Sequence, residues 1–252
     1  MQPIWISLAA CVVMLMGAVI GVLLRRWLPD HHLDEHARDI VRMGAGLVGT
    51  IAALVLGLLI NSASSGYEAQ RSDVRQIATD LILLDDLLQQ YGPEAKPVRA
   101  LLRQAVDEMI DRIWRDHDSQ KLAVTYGVGT IGAKVYAEIH ALSTDTAVKR
   151  SIVTQALQMA LPISQARLML YERSKSSLPA PILIVLLFWL TVLFTSYCLF
   201  SRVNPTSAVA LVLVSLSASA ALFLILEMGE PFSGFMQISS SSIRTALPPL
   251  AP

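Results

Sequence analysis

The chain has 252 residues, of which 54% are hydrophobic and 16% charged, with a mean hydropathy of +0.53. Twenty basic residues balance twenty acidic ones, so the formal net charge is zero and no basic footprint for nucleic acid exists. Four long apolar runs exclude an ordinary soluble domain: Ile4–Leu24, Met43–Ile60, Ile182–Phe200 and Ala208–Met228. None contains Asp, Glu, Lys or Arg before Glu227, and each approaches the ~20 residues that a helix needs to cross a bilayer.

In chain order, the first run lacks the layout of a cleaved signal peptide, because its apolar core is long and is followed by Arg25 and Arg26. Those arginines bear on orientation. With the amino end outside, the two short cytoplasmic connections hold Arg25, Arg26, Arg38, Arg42 and Arg202, which leaves Arg244 in the short outer segments. The stretch 61–181 then lies outside the cytoplasm. Cys11 and Cys198 fall inside apolar runs without metal-ligand or disulfide spacing, and read as packing or lipid-facing thiols.

The connection after the first run contains His32-Leu33-Asp34-Glu35-His36, the H-x-x-E-H spacing of inverted zinc peptidases. No third-ligand context accompanies it, so neither a metal site nor a cofactor is expected. Asp30, Asp34 and Glu35 suit the positive end of the following helix instead. Gly44-Ala45-Gly46-Leu47-Val48-Gly49 fits the dinucleotide fingerprint only formally, since it sits within a membrane run and not after a strand. Gly46, Gly49, Thr50, Ala53 and Gly57 lie near one helical face, which can either admit close helix approach or line a narrow pathway. Asn61, at the end of that run, can cap it or contact a solute.

Beyond Asn61 the pattern is helical. Tyr67, Val74, Leu81 and Leu88 recur at sevens, interleaved with Ile77, Leu84 and Tyr91, which predicts that the second helix continues past the apolar run. Gly92-Pro93 and Pro97 predict its end. A helix is expected over about Pro97–His117, with Val98, Leu102, Ala105, Met109 and Ile113 on one face. Another is expected over about Ile131–Leu142 after the glycine-rich Tyr126–Gly132. A further helix is expected from about Asp145, capped by Ser143 or Thr144 and disturbed at Pro162. The third membrane helix should begin near Pro179 and Pro181. On the fourth, Ser215 and Ser219 share a face while Ser217 points elsewhere, and the first two can serve packing or a solute path. The resulting organisation is a first transmembrane pair (1–60), a helical extramembrane domain (61–181), a second transmembrane pair (182–228) and a tail (229–252). This is an all-α polytopic membrane protein. No nucleophilic triad or phosphate loop indicates an enzyme.

The end of the fourth run carries the most specific signal: Glu227-Met228-Gly229-Glu230-Pro231-Phe232-Ser233-Gly234, followed by Phe235, Ile238 and Arg244. This resembles the carboxyl-terminal motif of a bacterial family of bestrophin-like membrane proteins, in which an acidic residue precedes Pro-Phe-Ser-Gly after the last span. The resemblance extends over nearly the whole chain, through Arg25-Arg26, Asp34-Glu35-His36, the glycine-rich second run and the closely spaced final spans. It implies four spans in a bacterial inner membrane, contact with membrane lipid, self-association, and an oligomeric channel-like protein that conducts ions or small solutes. The alternative is a non-conducting sensor or scaffold whose helical domain binds an envelope ligand or protein. Pro231, Phe232 and Gly234 fit the Asn-Pro-Phe-Gly region of bestrophin anion channels with Ser233 inserted. Two departures matter: Ser239–Ser242 stands where animal bestrophins carry an acidic calcium clasp, and Met43–Ile60 lacks the phenylalanines of their pore neck. Bestrophin topology also implies a cytoplasmic helical domain, opposite to the arginine-based orientation.

Overall fold

The computed structural model describes residues 3–28, 35–114, 131–175, 180–200 and 204–246. Helix α1 spans Pro3–Trp27, α2 Glu35–Tyr91, α3 Lys96–Trp114, α4 Ile131–Ala141, α5 Ala147–Lys175, α6 Ala180–Phe200, α7 Pro205–Met228 and α8 Ser241–Arg244. No strand occurs among the described residues. Helices α1, α2, α6 and α7 each contain a segment long and apolar enough to cross a membrane.

The chain divides into two compact units: Met1–Tyr67 with Ser177–Glu230, and Glu68–Ser176 with Pro231–Pro252. The first is the membrane unit. Helix α1 packs on α6 and α7. One apolar cluster joins Ala10 of α1, Ala52, Leu59 and Ala63 of α2, Leu186 of α6, and Leu222 and Ile225 of α7. A second joins Met14 and Ala18 of α1 to Phe194 and Cys198 of α6. The small residues Ala10, Ala18 and Ala52 allow close approach where lipid-like side chains supply no hydrophobic drive for association. Large apolar side chains on the outside, among them Trp5, Leu8, Met16, Phe188, Leu213 and Leu216, are exposed as lipid contact requires.

The second unit is built on the heptad seam. Val74, Ile77, Leu81, Leu84, Leu88 and Tyr91 are all buried, as their three-four spacing predicts. Helix α2 ends at Tyr91 because Gly92 takes a positive φ of 117°, open to glycine without a Cβ penalty, and Pro93 opens a 3₁₀ turn over Pro93–Ala95. Asp85, 2% exposed, accepts both Arg99 Nε at 2.8 Å and Arg99 Nη2 at 2.7 Å, which fixes α2 to α3 across this turn. That bond and the Asp85 charge hold the Arg99 guanidinium above its ordinary range. Helix α3 packs on α4 and α8, and α4 on α5. It begins at Lys96 and its described part ends at Trp114, so 115–117 and most of the glycine-rich stretch lie outside the described residues. Of its expected face, Val98, Leu102 and Met109 are buried, whereas Ala105 and Ile113 are half-buried.

Helix α5 corrects a detail of the sequence reading. Thr146 Oγ1 accepts the Lys149 amide at 3.2 Å, so the capping oxygen belongs to Thr146 and not to Ser143 or Thr144. Ser143 instead bonds Asp145 through its hydroxyl, and its carbonyl accepts Tyr91 OH at 2.7 Å. The helix runs through Pro162. Pro181 occupies the first turn of α6, and Pro179 lies outside the described residues.

Candidate functional site

The candidate surface starts from the membrane part of α2. Ala45, Ala52, Leu59 and Ala63 are buried on one side of that helix, and Gly46, Thr50, Ala53, Gly57 and Asn61 are exposed on another. A methyl group added at Gly46 or Gly57 meets nothing within 4 Å. Gly49 stands at the edge of the face, where an added Cβ would touch only Leu193, at 3.9 Å. Thr50 Oγ1 donates to Gly46 O at 2.9 Å, so its proton is satisfied within the helix and its lone pairs face outward. Asn61 lies within the unbroken helix and therefore caps no helix end. The face offers bare backbone, one hydroxyl and one amide, with no carboxylate, ammonium or guanidinium.

Ser215 and Ser219 belong elsewhere. Both are buried in α7 against α1. Ser219 Oγ donates to Ser7 O at 2.6 Å, and Ser215 Oγ lies 3.2 Å from Cys11 Sγ and 3.4 Å from Cys11 O. With their hydrogen bonds directed into the bundle, they hold two helices together and leave the candidate lining. This also assigns Cys11 to packing. Ser217 is exposed.

The post-span motif divides. Glu227, 1% exposed, closes α7 inside the membrane unit, and exposed Glu230 follows, its amide donating to Glu227 O at 3.2 Å. Pro231 and Phe232 are buried in the helical unit. There Pro231 O accepts the Ile238 amide at 2.8 Å, and Gly234 takes a positive φ of 83° that permits the intervening turn. The Phe232 ring meets Trp114 edge to face with centroids 5.3 Å apart, and Trp114 Nε1 donates to Ile238 O at 2.7 Å. Phe232, Ile238, Ile243 and Ala246 of the tail are thus part of the helical unit's core.

Sequence reasoning missed two partners. Trp114 continues the buried four-residue spacing of Leu102, Val106 and Ile110, but its specific task emerges only when Phe232 folds against it. Gly17 and Gly21 were readable as a G-x-x-x-G pattern in an apolar run. An added Cβ at Gly21 would lie 2.3 Å from Thr195 O, and one at Gly17 2.7 Å from Thr191 Cγ2, so these two glycines bring α1 onto α6. The glycines of α2 make no such contact among the described residues. As for metals, no group of three His, Cys, Asp or Glu side chains suited to an ion occurs among the described residues; His31 and His32 lie outside them.

Four apolar helices, a helical unit seeded by the extension of the second, and a Pro-Phe-Ser-Gly turn after the fourth define a multi-pass membrane protein. The chain belongs to the Bestrophin-like family, whose domain matches residues 11–243. Its fold is similar to that of the Bestrophin homologue of Klebsiella pneumoniae. Two point variants of that protein give TM-scores of 0.71 and 0.72, each at 13% identity. The first match covers 95% of both chains, and the second 98% of this chain and 96% of the other. A further structure, described as a membrane protein, has a TM-score of 0.70 at 13% identity over 95% of each chain. No curated protein matches the chain.

Proposed function

We propose that the chain assembles into a homo-oligomer in which the Gly46, Thr50, Ala53, Gly57 and Asn61 face of each α2, with Gly49 at its edge, surrounds a narrow pathway for ions or small solutes. The observation that carries this reading is the emptiness around that face: Gly46 and Gly57 have open space beside them, while the opposite side of the helix is packed. Lipid is a poor occupant of the space, because glycine, threonine and asparagine present little apolar area and an uncapped amide. Water on a symmetry axis satisfies the same groups without cost. Exposed Met43, Leu47, Leu54 and Leu58 lie on an adjoining face of α2 and supply apolar area for contact between subunits. The arginines of the two short connections support their placement on the cytoplasmic side of a bacterial inner membrane, with the helical unit outside the cytoplasm.

The deciding experiment is flux through purified protein in liposomes. A pathway radius responds directly to lining volume, so Thr50→Trp should suppress flux while the oligomer mass is retained. If the face serves subunit packing alone, the same bulk should break assembly. An intact wild-type oligomer that passes no halide, potassium or small organic solute under varied voltage and tension would transfer the assignment to a sensor or scaffold that binds an envelope partner.

A further inference from the structure

At the end of the membrane unit where α2 and α7 begin and α6 finishes, a cavity of about 530 Å³ opens between these three helices. Its walls are mostly apolar: Val41 and Ala45 of α2, Phe194 of α6, Leu211 and Val214 of α7. Its polar rim is cationic, because Arg38 and Arg42 line it and, among the described residues, no carboxylate does. The two serines of the lining have committed their protons, Ser196 Oγ to Val192 O at 2.8 Å and Ser207 Oγ to Asn204 O at 2.8 Å. The guanidinium groups are left as the charged donors for anything that enters, with the Tyr197 hydroxyl beside them. Arg38 Nε is buried and has no hydrogen-bond partner among the described residues, and neither has the buried Nη1 of Arg25 on the closing turn of α1.

A buried guanidinium N–H without an acceptor is costly. An acceptor oxygen therefore suits Arg38, and one that carries negative charge also suits the two guanidinium charges of the rim. The position restricts what that is. Arg38 and Arg42 precede the apolar run Met43–Ile60 by at most five residues, which puts them at the level of the lipid headgroups. An occupant held there by its phosphate continues downward into a groove walled by valine, leucine and phenylalanine. Soluble anions fill the rim and leave the groove bare, whereas a lipid fills both.

We propose that this cavity is a binding site for one anionic phospholipid per subunit, with its phosphodiester on Arg38 and Arg42 and an acyl chain along Val41, Phe194, Leu211 and Val214. Basic pockets between membrane helices select such headgroups by charge and the bidentate fit of guanidinium to phosphate. A zwitterionic lipid of equal chain length fills the groove but brings an ammonium toward the arginines. The selectivity therefore resides in the rim, and the affinity shared by both lipids resides in the groove.

Native mass spectrometry of the delipidated, intact oligomer tests this without reference to conduction. Phosphatidylglycerol should be retained at one per subunit, roughly tenfold more tightly than phosphatidylethanolamine with the same chains. The double variant Arg38→Gln/Arg42→Gln should bind both lipids equally. Ala210→Trp, an exposed lining position whose ring fills the groove, should weaken both while leaving the rim intact. Equal retention of the two lipids by the wild type, or a preference that survives the double variant, would overturn the proposal. Displacement of the lipid by inorganic phosphate would make the site one for small anions. Loss of oligomer in the double variant with lipid preference unchanged would make it a contact between subunits. Because lipid retention is read in place of flux, a silent channel leaves this test intact.

Discussion

Gly21→Ala tests the packing of the membrane unit most directly. The added methyl carbon would sit 2.3 Å from Thr195 O and 2.9 Å from Cys198 Cβ, and neither atom can turn aside because one is backbone and the other is fixed to it. Ordinary contact returns only if α1 and α6 part by about 1 Å, a gap that forfeits a quarter to a half of the dispersion between facing atoms. The same movement pulls Thr195 Oγ1 from Gly17 O, now 2.9 Å away, and loosens Met14 and Ala18 against Phe194 and Cys198. Overpacking costs about 1–3 kcal/mol and an interhelical hydrogen bond in a membrane averages about 0.6, so a loss of roughly 2–3 kcal/mol is expected. Gly57→Ala is the internal control. Its methyl meets nothing, and alanine exceeds glycine in helix propensity by about 1 kcal/mol, so the chain should be as stable as the wild type or more so. Reversible unfolding in mixed micelles reads both values. Gly21→Ala within about 0.5 kcal/mol of wild type, the range of a neutral surface substitution, would refute the assignment of Gly17 and Gly21 as the α1–α6 contact.

Three further outcomes are expected. Phe232→Ala empties a buried position against Trp114 and should cost about 3–5 kcal/mol, and Gly234→Val forces a branched side chain to a positive φ; both should lower folded yield. Ser240→Ala should leave yield unchanged, and equal behaviour of the three would show a passive tail. The Lys149 ammonium donates to Glu94 at 2.6 Å and, by that bond first and its charge second, holds the carboxyl below its ordinary value of 4.5. A depressed carboxyl contributes stability above its unfolded value and loses it as pH falls through the folded one. The melting-temperature advantage of wild type over Glu94→Gln should therefore be present at neutral pH and shrink as pH falls below 4.5; an advantage constant with pH would exclude the ion pair as its source. Cysteines introduced at exposed Gln90 and Ser151 should react with an impermeant thiol reagent in intact spheroplasts, and labelling only after lysis would reverse the proposed orientation.

The fold was legible wherever periodicity and composition act locally. Uninterrupted apolar runs can only be membrane helices, and the seam from Val74 to Tyr91 marks a buried face irrespective of what covers it. Gly92-Pro93 stops a helix by covalent geometry alone. What failed depends on neighbours that a single helix cannot reveal. Ser215 and Ser219 share a face by spacing, but only the approach of Ser7 and Cys11 decides that this face is inside the bundle. The capping oxygen of α5 shifted to Thr146 for a similar reason, since Ser143 is engaged with Asp145 and Tyr91.

Two stripes of small residues, nearly indistinguishable as sequence, illustrate the limit and its consequence. Gly46 to Gly57 on α2 read as a place where helices can meet, and Gly17 and Gly21 on α1 carry the same spacing of small residues, which sequence reasoning passed over. In the folded chain the first stripe is filled by Thr191, Thr195 and Cys198, while the second faces open space. Glycine in a helix interior costs about 1 kcal/mol each against alanine, a cost that contact with α6 offsets at Gly17 and Gly21. Nothing among the described residues offsets it at Gly46 and Gly57. The offset has to come from outside the chain, either from a neighbouring subunit or from function, and the Thr50→Trp flux measurement separates these by whether assembly or permeation fails.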